Sequence, residues 1–396
     1  MKLKVKDVNL STGGSSIAII NEQDAKKLGV HASDRISIRR LRTGQTAIAV
    51  ADISSEDISP GKIGLFEEPL KQLGIEDGVH VDVILTERPH SIQHISDKLE
   101  GAELTEKQIR EIVVDVVENH LSEVEMTYFV AGCYSTGLTM KETAALTKAI
   151  VETGTTLDLG KKIILDKHCI GGVPNNRTTP IVVPILAALG YTMPKTSSRS
   201  ITSPAGTADT MEVMAPVSLS LEKIKEVLAK TNACMVWGGG NMNMAAADDK
   251  LIRIRHPLSI DPEGMLLASI MAKKKAVGAT HCLIDIPYGY MAKFPSKKAA
   301  MSLSNKFVQL GKMLGMKVRV VLTDGSQPIG NGIGPALEAH DIINILKGEG
   351  PNALREKCIY IACEMLSMVG EKNAREKVLD MLDSGKAYAK FKEICI

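Results

Sequence analysis

Three regimes of hydrophobic patterning follow one another along the chain. Over residues 1–85 apolar and polar positions alternate in short runs, at 16–20, 35–39 and 45–50. Alternation with a period of two predicts half-buried strands. A weak repeat runs through this region. Leu28-Gly29-Val30 leads into Arg35-Ile36-Ser37-Ile38, and 45 residues later Leu73-Gly74-Ile75 leads into His80-Val81-Asp82-Val83. Each copy reads as a short amphipathic helix, a glycine stop and a strand, and two interlocking copies would form a small pseudo-symmetric barrel. Nothing here looks catalytic, so packing or assembly is the expected role.

From about residue 88 the period becomes helical. After Leu104-Thr105-Glu106-Lys107-Gln108, which resembles a capped helix start, Ile109, Ile112, Val113, Val116 and Val117 recur at helical spacing. Thr139 with Glu142 offers a second capping box, and residues 88–155 are expected to form an antiparallel helical lobe. Beyond residue 160 strands alternate with glycine-rich turns and helices. Strands are expected at 162–165, 233–237, 281–286 and 317–322, and helices at 179–189, 221–230, 265–275, 296–314 and 335–347. This alternation predicts an α/β sheet with its binding loops gathered at one edge. Residues 352–394 return to helix.

Composition narrows the picture modestly. At 396 residues two or three domains are expected. Aromatics make up 3%, so the cores must come from Ile, Leu, Val, Met and Ala, and the 18 methionines read as core filler. A net charge of +2 gives no global case for nucleic acid or an acidic membrane. The seven cysteines are scattered without a CxxC pair, which argues against a disulfide framework or a structural zinc and fits a reducing cytoplasm. No apolar signal core opens the chain and no apolar run is long enough to span a bilayer, so a cytoplasmic protein is expected.

Chemistry concentrates in the turns. Asp166-Lys167-His168-Cys169-Ile170-Gly171-Gly172-Val173-Pro174-Asn175-Asn176-Arg177-Thr178-Thr179 follows an expected strand and opens an expected helix. Glycines admit an anion close to backbone N–H groups, and Lys167, Arg177 and the threonines add donors. A strand–Gly-Gly–helix turn is often purely structural, but its flanking residues favour an anion site. Neither the P-loop nor the dinucleotide fingerprint is present. A second run, from Lys195 to Asp209, crowds seven hydroxyl side chains into twelve residues around Arg199. A flexible linker would seldom continue into a helix pattern, so an oxyanion cradle is the preferred reading.

In a third region, Arg253 to Pro262, Asp261 stands just before a helix, where an N-cap is the commoner role. Ser269 and Lys273 share one face of that helix, whereas the rest of Lys273-Lys274-Lys275 reads as solvated surface. Tyr288 to Lys293 and the glycine-rich segment Asp324 to Pro335 could line a cleft or simply cross from strand to helix. His90 and His94 have metal-like spacing without a third ligand nearby, and surface histidines are the preferred reading.

Together these loops resemble the thymidine and pyrimidine-nucleoside phosphorylase family, especially its AMP phosphorylase branch. The strongest matches are Lys167-His168-Cys169-Ile170-Gly171-Gly172-Val173 and the stretch from Ser197-Ser198-Arg199 to Thr210-Met211-Glu212. The resemblance covers about 88–394, and the β-rich leader resembles that branch's additional N-terminal domain. It implies an α/β multidomain fold: a β-rich, barrel-like domain over 1–85, a discontinuous all-helical lobe over 86–158 with a returning segment near 262–276, and an α/β lobe with a central mixed sheet over 159–396. The family normally continues into a further β-rich lobe, so the last of these is expected to be incomplete at its C-terminal end.

By motif position the resemblance implies phosphate ligands Lys167, Cys169, Thr179, Ser197 and Thr207. Nucleotide contacts would be Gly172, Ser198, Arg199, Ser200, Ile201, Thr202, Ser203, Thr207, Ser269 and Lys293, with Arg255 and Lys273 at the base. Asp261 matches the branch's proton donor, with His168 as the other candidate acid. Three departures bear on substrate. Cys169 stands where serine is usual, and a thiol is a poorer donor. Ile252 replaces the tyrosine of pyrimidine-specific members. Ser198, Ser200 and Thr202 replace glycines, and their hydroxyls would suit a 5′-phosphate. The Cys169 and Asn175-Asn176-Arg177 variants also resemble bacterial relatives described as thymidine phosphorylases.

The resulting expectation is phosphorolysis of a nucleoside 5′-monophosphate (AMP, with CMP and UMP as further candidates) to ribose 1,5-bisphosphate and free base. Its rivals are a thymidine or uridine phosphorylase and a non-catalytic binding or assembly subunit. Inorganic phosphate would be a substrate. No cofactor, metal, nucleic acid or membrane is expected, and a homodimer or larger homo-oligomer is.

Overall fold

A computed structural model describes residues 1–14, 16–171, 173, 177–200, 205–239, 244–290 and 292–396. The chain divides into two compact units, residues 1–149 with 247–265, and residues 150–246 with 266–396.

The first unit begins with β1 (Lys2–Asp7), β2 (Ile17–Asn21), α1 (Glu22–Leu28), β3 (Arg35–Arg40), β4 (Thr46–Ser54), β5 (Lys62–Leu65), α2 (Glu67–Leu73) and β6 (His80–Leu85). Inward residues such as Leu3, Ile20, Ile36, Ile38, Ile63, Val81 and Val83 are fully buried, and β2, β3, β4 and β6 show the alternation expected of their sequences. The strands close into a barrel in the order β1-β5-β2-β4-β3-β6. Exchanging β1 with β4, β2 with β5 and β3 with β6 returns the same cyclic order and the same parallel and antiparallel pairings. The 45-residue repeat is therefore a structural repeat. Both helices stop at a glycine in the left-handed region, Gly29 (φ 69°) and Gly74 (φ 57°), where a side chain would be strained. Closure leaves no unpaired edge.

The same unit continues with α3 (Ser91–Leu99), α4 (Glu106–Val117), α5 (Glu123–Thr136) and α6 (Met140–Thr153), whose last turn lies in the second unit. The Thr105–Gln108 capping box is present, with both reciprocal bonds. So is the Thr139–Glu142 pair, where Thr139 N–H donates to Glu142 Oε2 at 2.8 Å and Glu142 N–H to Thr139 Oγ1 at 3.1 Å. A third box, Ser122 with Glu125, opens α5 and escaped the sequence reading. Glu142 is fully buried, and its Oε1 accepts from Lys98 Nζ at 2.8 Å and Leu104 N at 2.9 Å. Removing one member of such a pair leaves the other charged and desolvated.

The second unit carries β7 (Leu165–Cys169), α7 (Thr179–Ala188), β8 (Met193–Ser197), α8 (Thr207–Glu212), α9 (Leu221–Thr231) and β9 (Ala233–Trp237). Then α10 (Ala246–Arg255) returns to the first unit. The second unit resumes within α11 (Glu263–Ala276) and adds β10 (His281–Tyr288), α12 (Lys297–Met313), β11 (Lys317–Asp324), α13 (Pro335–Leu346), α14 (Asn352–Met368), α15 (Ala374–Asp383) and α16 (Lys386–Cys395). Strands β11, β10 and β7 pair in parallel, as do β8 and β9. The Ile164–Thr192 bridge, with Leu165 N donating to Thr192 O at 2.9 Å, joins the two sets. The antiparallel part of the expected mixed sheet has no counterpart among the described residues. Helix α7 is buried on all sides and centres a core shared with α14, α15 and α16, which explains its unbroken Ile, Val, Leu and Ala run.

Two expectations are corrected. The strand expected at 162–165 runs instead from Leu165 through Cys169, so the first four residues of the anion motif are strand, because Asp166 and Lys167 find buried charged and hydroxyl partners. Strand β8 and helix α10 were not expected, since Lys195-Thr196-Ser197 and Asp248-Asp249-Lys250 look polar along the chain.

Lys98→Met is expected to destabilise the first unit by about 3–5 kcal/mol through the stranded Glu142 carboxylate. Urea unfolding checks this, and a loss under about 1 kcal/mol would mean that water reaches Glu142.

Candidate active site

In a parallel sheet the loops after the strand C-termini share one edge, where ligands bind in α/β folds. Here those loops follow β7, β8, β9, β10 and β11, and they contain every glycine- and hydroxyl-rich stretch noted above. The β7 strand end is the most charged. Lys167 is fully buried, and its Nζ donates to Thr178 Oγ1 and, at 3.3 Å, to Thr179 Oγ1, at the start of α7. No carboxylate lies within ion-pair distance of Lys167 among the described residues. Burial pushes its pKa down, opposed by Cys169 and Asp285. An ammonium held by hydroxyls alone, beside a helix N-terminus, suits an incoming anion.

Beneath it Asp166 balances further cations. It pairs with Lys274 Nζ at 2.8 Å and with Lys195 Nζ at 3.7 Å, and all three side chains are buried. Burial and the neighbouring Lys274 push the Lys195 pKa well down, to about 7. Lys274 is thus not solvated surface as expected; it points inward to the Asp166 carboxylate. His168 is half-buried, and burial together with Lys274, Lys195, Lys167 and Lys273 drives its pKa well below the ordinary 6.5. It is a neutral imidazole at physiological pH, which counts against it as a proton donor. The half-buried Cys169 thiol is pushed up to about 11 by burial and by Asp285, so it stays a thiol.

Arg177 does not join this set. It is buried and bound to Asp341, lies 3.9 Å from Glu338, and donates to Gly332 O at 2.5 Å and Ile329 O at 3.4 Å. Asp341 Oδ2 also accepts from Asn331 N at 2.8 Å and Gly332 N at 3.0 Å. Arg177 therefore ties the β7 loop to the glycine-rich segment after β11, and is a fastener rather than the anion donor expected.

The second cradle is organised by one carboxylate. Asp209 Oδ2 accepts from Ser200 N at 2.7 Å and Gly206 N at 2.9 Å, drawing both ends of the segment together. Gly206 is needed for that closure, because a Cβ there would lie 2.6 Å from Ser198 O and 2.5 Å from Arg199 C. Arg199 chelates Glu212 at 2.6 and 2.8 Å, meets Asp209 at 3.2 Å, and lies 4.9 Å over the ring of Trp237. Its guanidinium is thereby committed to a latch. Ser197 Oγ donates to Val236 O at 3.2 Å, Ser198 and Ser200 are exposed, and Thr207 is half-buried at the first position of α8. Gly172, Ile201, Thr202 and Ser203, with Asn175 and Asn176, lie outside the described residues.

Of the remaining expected residues, Ser269 is buried and Lys273 half-buried one turn apart on α11, and Lys293 is exposed after β10. In the first unit Arg255 ends α10, paired with Asp261 Oδ1 at 3.3 Å and Asp248 Oδ1 at 3.8 Å, and its Nη1 is buried without a hydrogen bond. Asp261 is half-buried, two residues ahead of α11, and forms the ion pair with Arg255. Lys250 fixes α10 by donating to Val116 O at 2.8 Å, Val117 O at 3.0 Å and Asn119 Oδ1 at 2.5 Å. Ile252 is half-buried on the same helix.

Sequence reasoning singles out none of Lys274, Asp285 and Lys357. Asp285, inside the apolar run Leu283-Ile284-Asp285-Ile286, carries a visible signal, a charge in a buried strand. Lys357 carries none. His94 bonds Glu111 at 2.8 Å and Gln108 at 3.3 Å, as a structural histidine would. Among the described residues no group of three or more His, Cys, Asp and Glu side chains could hold a metal ion, and no helix is long and apolar enough to cross a membrane.

The α/β lobe and helical bundle belong to an enzyme of the pentosyltransferase class, as similarity to known proteins shows. Residues 161–388 match the glycosyl transferase family a/b domain, and residues 92–154 match that family's helical bundle domain. AMP phosphorylase 1 of Archaeoglobus fulgidus is 43% identical over 383 residues, covering 96% of this chain and 75% of that protein. AMP phosphorylase of Thermococcus sibiricus is 44% identical over 398 residues, covering 100% and 78%. Among solved structures, anthranilate phosphoribosyltransferase from Thermus thermophilus superposes with a TM-score of 0.63 at 18% identity, covering 76% of this chain and 98% of that one; it shares the fold. The chain belongs to the glycosyl transferase family, in its AMP phosphorylase branch.

Two measurements check this geometry. Arg199→Met should shift the emission of Trp237, the single tryptophan, and speed proteolysis within 198–206; unchanged spectra and cleavage would mean that the latch does not order the segment. The folded His168 binds a proton less readily than the unfolded one, so stability should fall as pH drops below about 6.5. His168→Gln should lose part of that acid-side slope in a pH series of thermal melts.

Proposed function

We propose that this chain catalyses phosphorolysis of a nucleoside 5′-monophosphate, AMP first and CMP or UMP as candidates, releasing free base and ribose 1,5-bisphosphate. It is a pentosyltransferase. Similarity to AMP phosphorylases along the whole chain supports the activity, and neither thymidine or uridine phosphorolysis nor a non-catalytic role is favoured. The observation that carries the site is the buried Lys167 ammonium with hydroxyl partners only.

An oxygen of inorganic phosphate attacks C1′ of the ribose as the C1′–N bond to the base breaks. Lys167, Cys169, Thr179, Ser197 and Thr207 hold the attacking phosphate, which is chiefly positioning. The hydroxyl-rich segment from Ser198 to Ser203, with Thr207, Gly172 and Lys293, takes the 5′-phosphate. Arg199 acts there through its latch. Arg255, Ser269 and Lys273 contact the base. The bond electrons go to a ring nitrogen of the leaving base; Asp261 hands that nitrogen a proton, balanced by the one the attacking hydrogen phosphate loses on becoming an ester. Such proton transfer is worth about 10²–10⁴-fold in typical enzymes. This chemistry needs no cofactor. We also read residues 1–85, 86–158 and 159–396 as the three working parts, and the protein as a cytoplasmic homodimer or larger homo-oligomer.

Base release from AMP, CMP, UMP, thymidine and uridine, each with and without phosphate, tests the reading. Phosphate-dependent release from monophosphates alone is expected, and release from thymidine or uridine alone would overturn it. Asp261→Asn should lower kcat by about 10²–10⁴-fold, whereas His168→Gln should keep the wild-type shape of the pH–rate profile. The reverse pattern would transfer the donor role to His168.

A further inference from the structure

A second lysine reaches the β7 strand end from a different element. Lys357 lies on α14, its side chain is 10% exposed, and its Nζ makes no hydrogen bond to any described residue. The nearest acid is Asp285, whose Oδ2 stands 3.4 Å away and also lacks a hydrogen bond. Asp285 Oδ1 is taken by Thr323 Oγ1 at 2.6 Å. In the sheet Asp285 is the register partner of Cys169, and its carbonyl accepts from Ile170 N at 3.0 Å. Lys357 therefore sits against the turn where β7 opens into its loop. It is close enough to act on two expected phosphate ligands, depressing the Lys167 pKa and opposing the burial that raises that of Cys169.

An ammonium buried without a hydrogen bond is costly, and one carboxylate at long ion-pair distance offsets only part of that cost. Lys167 and Lys357 supply two positive charges here against the single charge of Asp285. A phosphate dianion arriving at the loop would neutralise the excess and accept the idle N–H groups. The donor deficit points the same way, because Cys169 offers a weak S–H. We propose that Lys357 is a further ligand for inorganic phosphate, set in place by Asp285 and Thr323 from behind the loop. This rests on the reading of the β7 loop as the phosphate site. The plainer role for Lys357, charge partner of Asp285 alone, predicts a different experiment.

Inorganic phosphate binding is measured by calorimetry on the full chain, alongside KM for phosphate and for AMP. Lys357→Met should weaken phosphate binding and raise the phosphate KM by about tenfold or more, leave the AMP KM within about twofold, and be largely rescued in Lys357→Arg. Phosphate binding equal to wild type in a Lys357→Met protein that melts normally would overturn the proposal and leave the β7 loop reading standing. A wild-type chain that binds no inorganic phosphate would sink that reading and this one with it. If Lys357→Met does not fold, Lys357→Gln is read in the same way. If neither folds, the ammonium 15N resonance of Lys357 in the intact chain decides: a shift on adding phosphate supports the assignment, and no shift removes it.

Discussion

Positive charge buried at the C-terminal end of β7 is the constraint around which the second unit is arranged. Lysines out of water are tolerated where carboxylates, hydroxyls or a ligand compensate them. Asp166 serves Lys274 and Lys195, the α7 threonines serve Lys167, and Asp285 stands opposite Lys357. The acids are fewer than the bases, and His168 responds by staying neutral. The shortfall leaves an excess of positive charge at the strand end. It also explains why a strand continues through Asp166 and Lys167, since a charged pair inside a sheet is stable only with such partners on both faces.

Carboxylates organise the neighbouring loops instead of binding ligand. Asp209 gathers the backbone N–H groups of Ser200 and Gly206, and Asp341 gathers those of Asn331 and Gly332 while holding Arg177. Each acid holds two backbone N–H groups of its loop with a single carboxylate oxygen. The two arginines nearest the expected phosphate positions, Arg177 and Arg199, are occupied by this bracing, which leaves lysines and hydroxyls as the available donors. That division suits an enzyme that must release a phosphorylated product, because hydroxyls and single ammonium groups grip less tightly than a bidentate guanidinium.

The barrel of the first unit follows a different logic. Its two copies exchange strands so completely that the cyclic order is unchanged when they are swapped, and closure satisfies every edge. Its interior is uniformly aliphatic, and among the described residues it holds no buried charge cluster of the kind seen at β7. The helical part beyond it again uses a buried pair, Lys98 with Glu142, to join a helix end to a cap.

Local physics settles what the sequence by itself determines: the alternating barrel strands, the glycine stops at Gly29 and Gly74, the Thr105 and Thr139 boxes, the apolar α7, and the loops in which glycine and hydroxyls gather. These depend on residues a few positions apart, so they can be read in order along the chain. What only the tertiary structure decides is the partner of each charge. Arg177 looks like an anion donor until Asp341, far along the chain, takes it. Lys274 looks like surface until Asp166 is found beneath it, and Lys357 has no signature at all until α14 lays it against Asp285. Coulombic and hydrogen-bond partners are chosen by proximity in space, across separations that no local pattern encodes. The candidate site is therefore legible as motifs, and its electrostatics only as a fold.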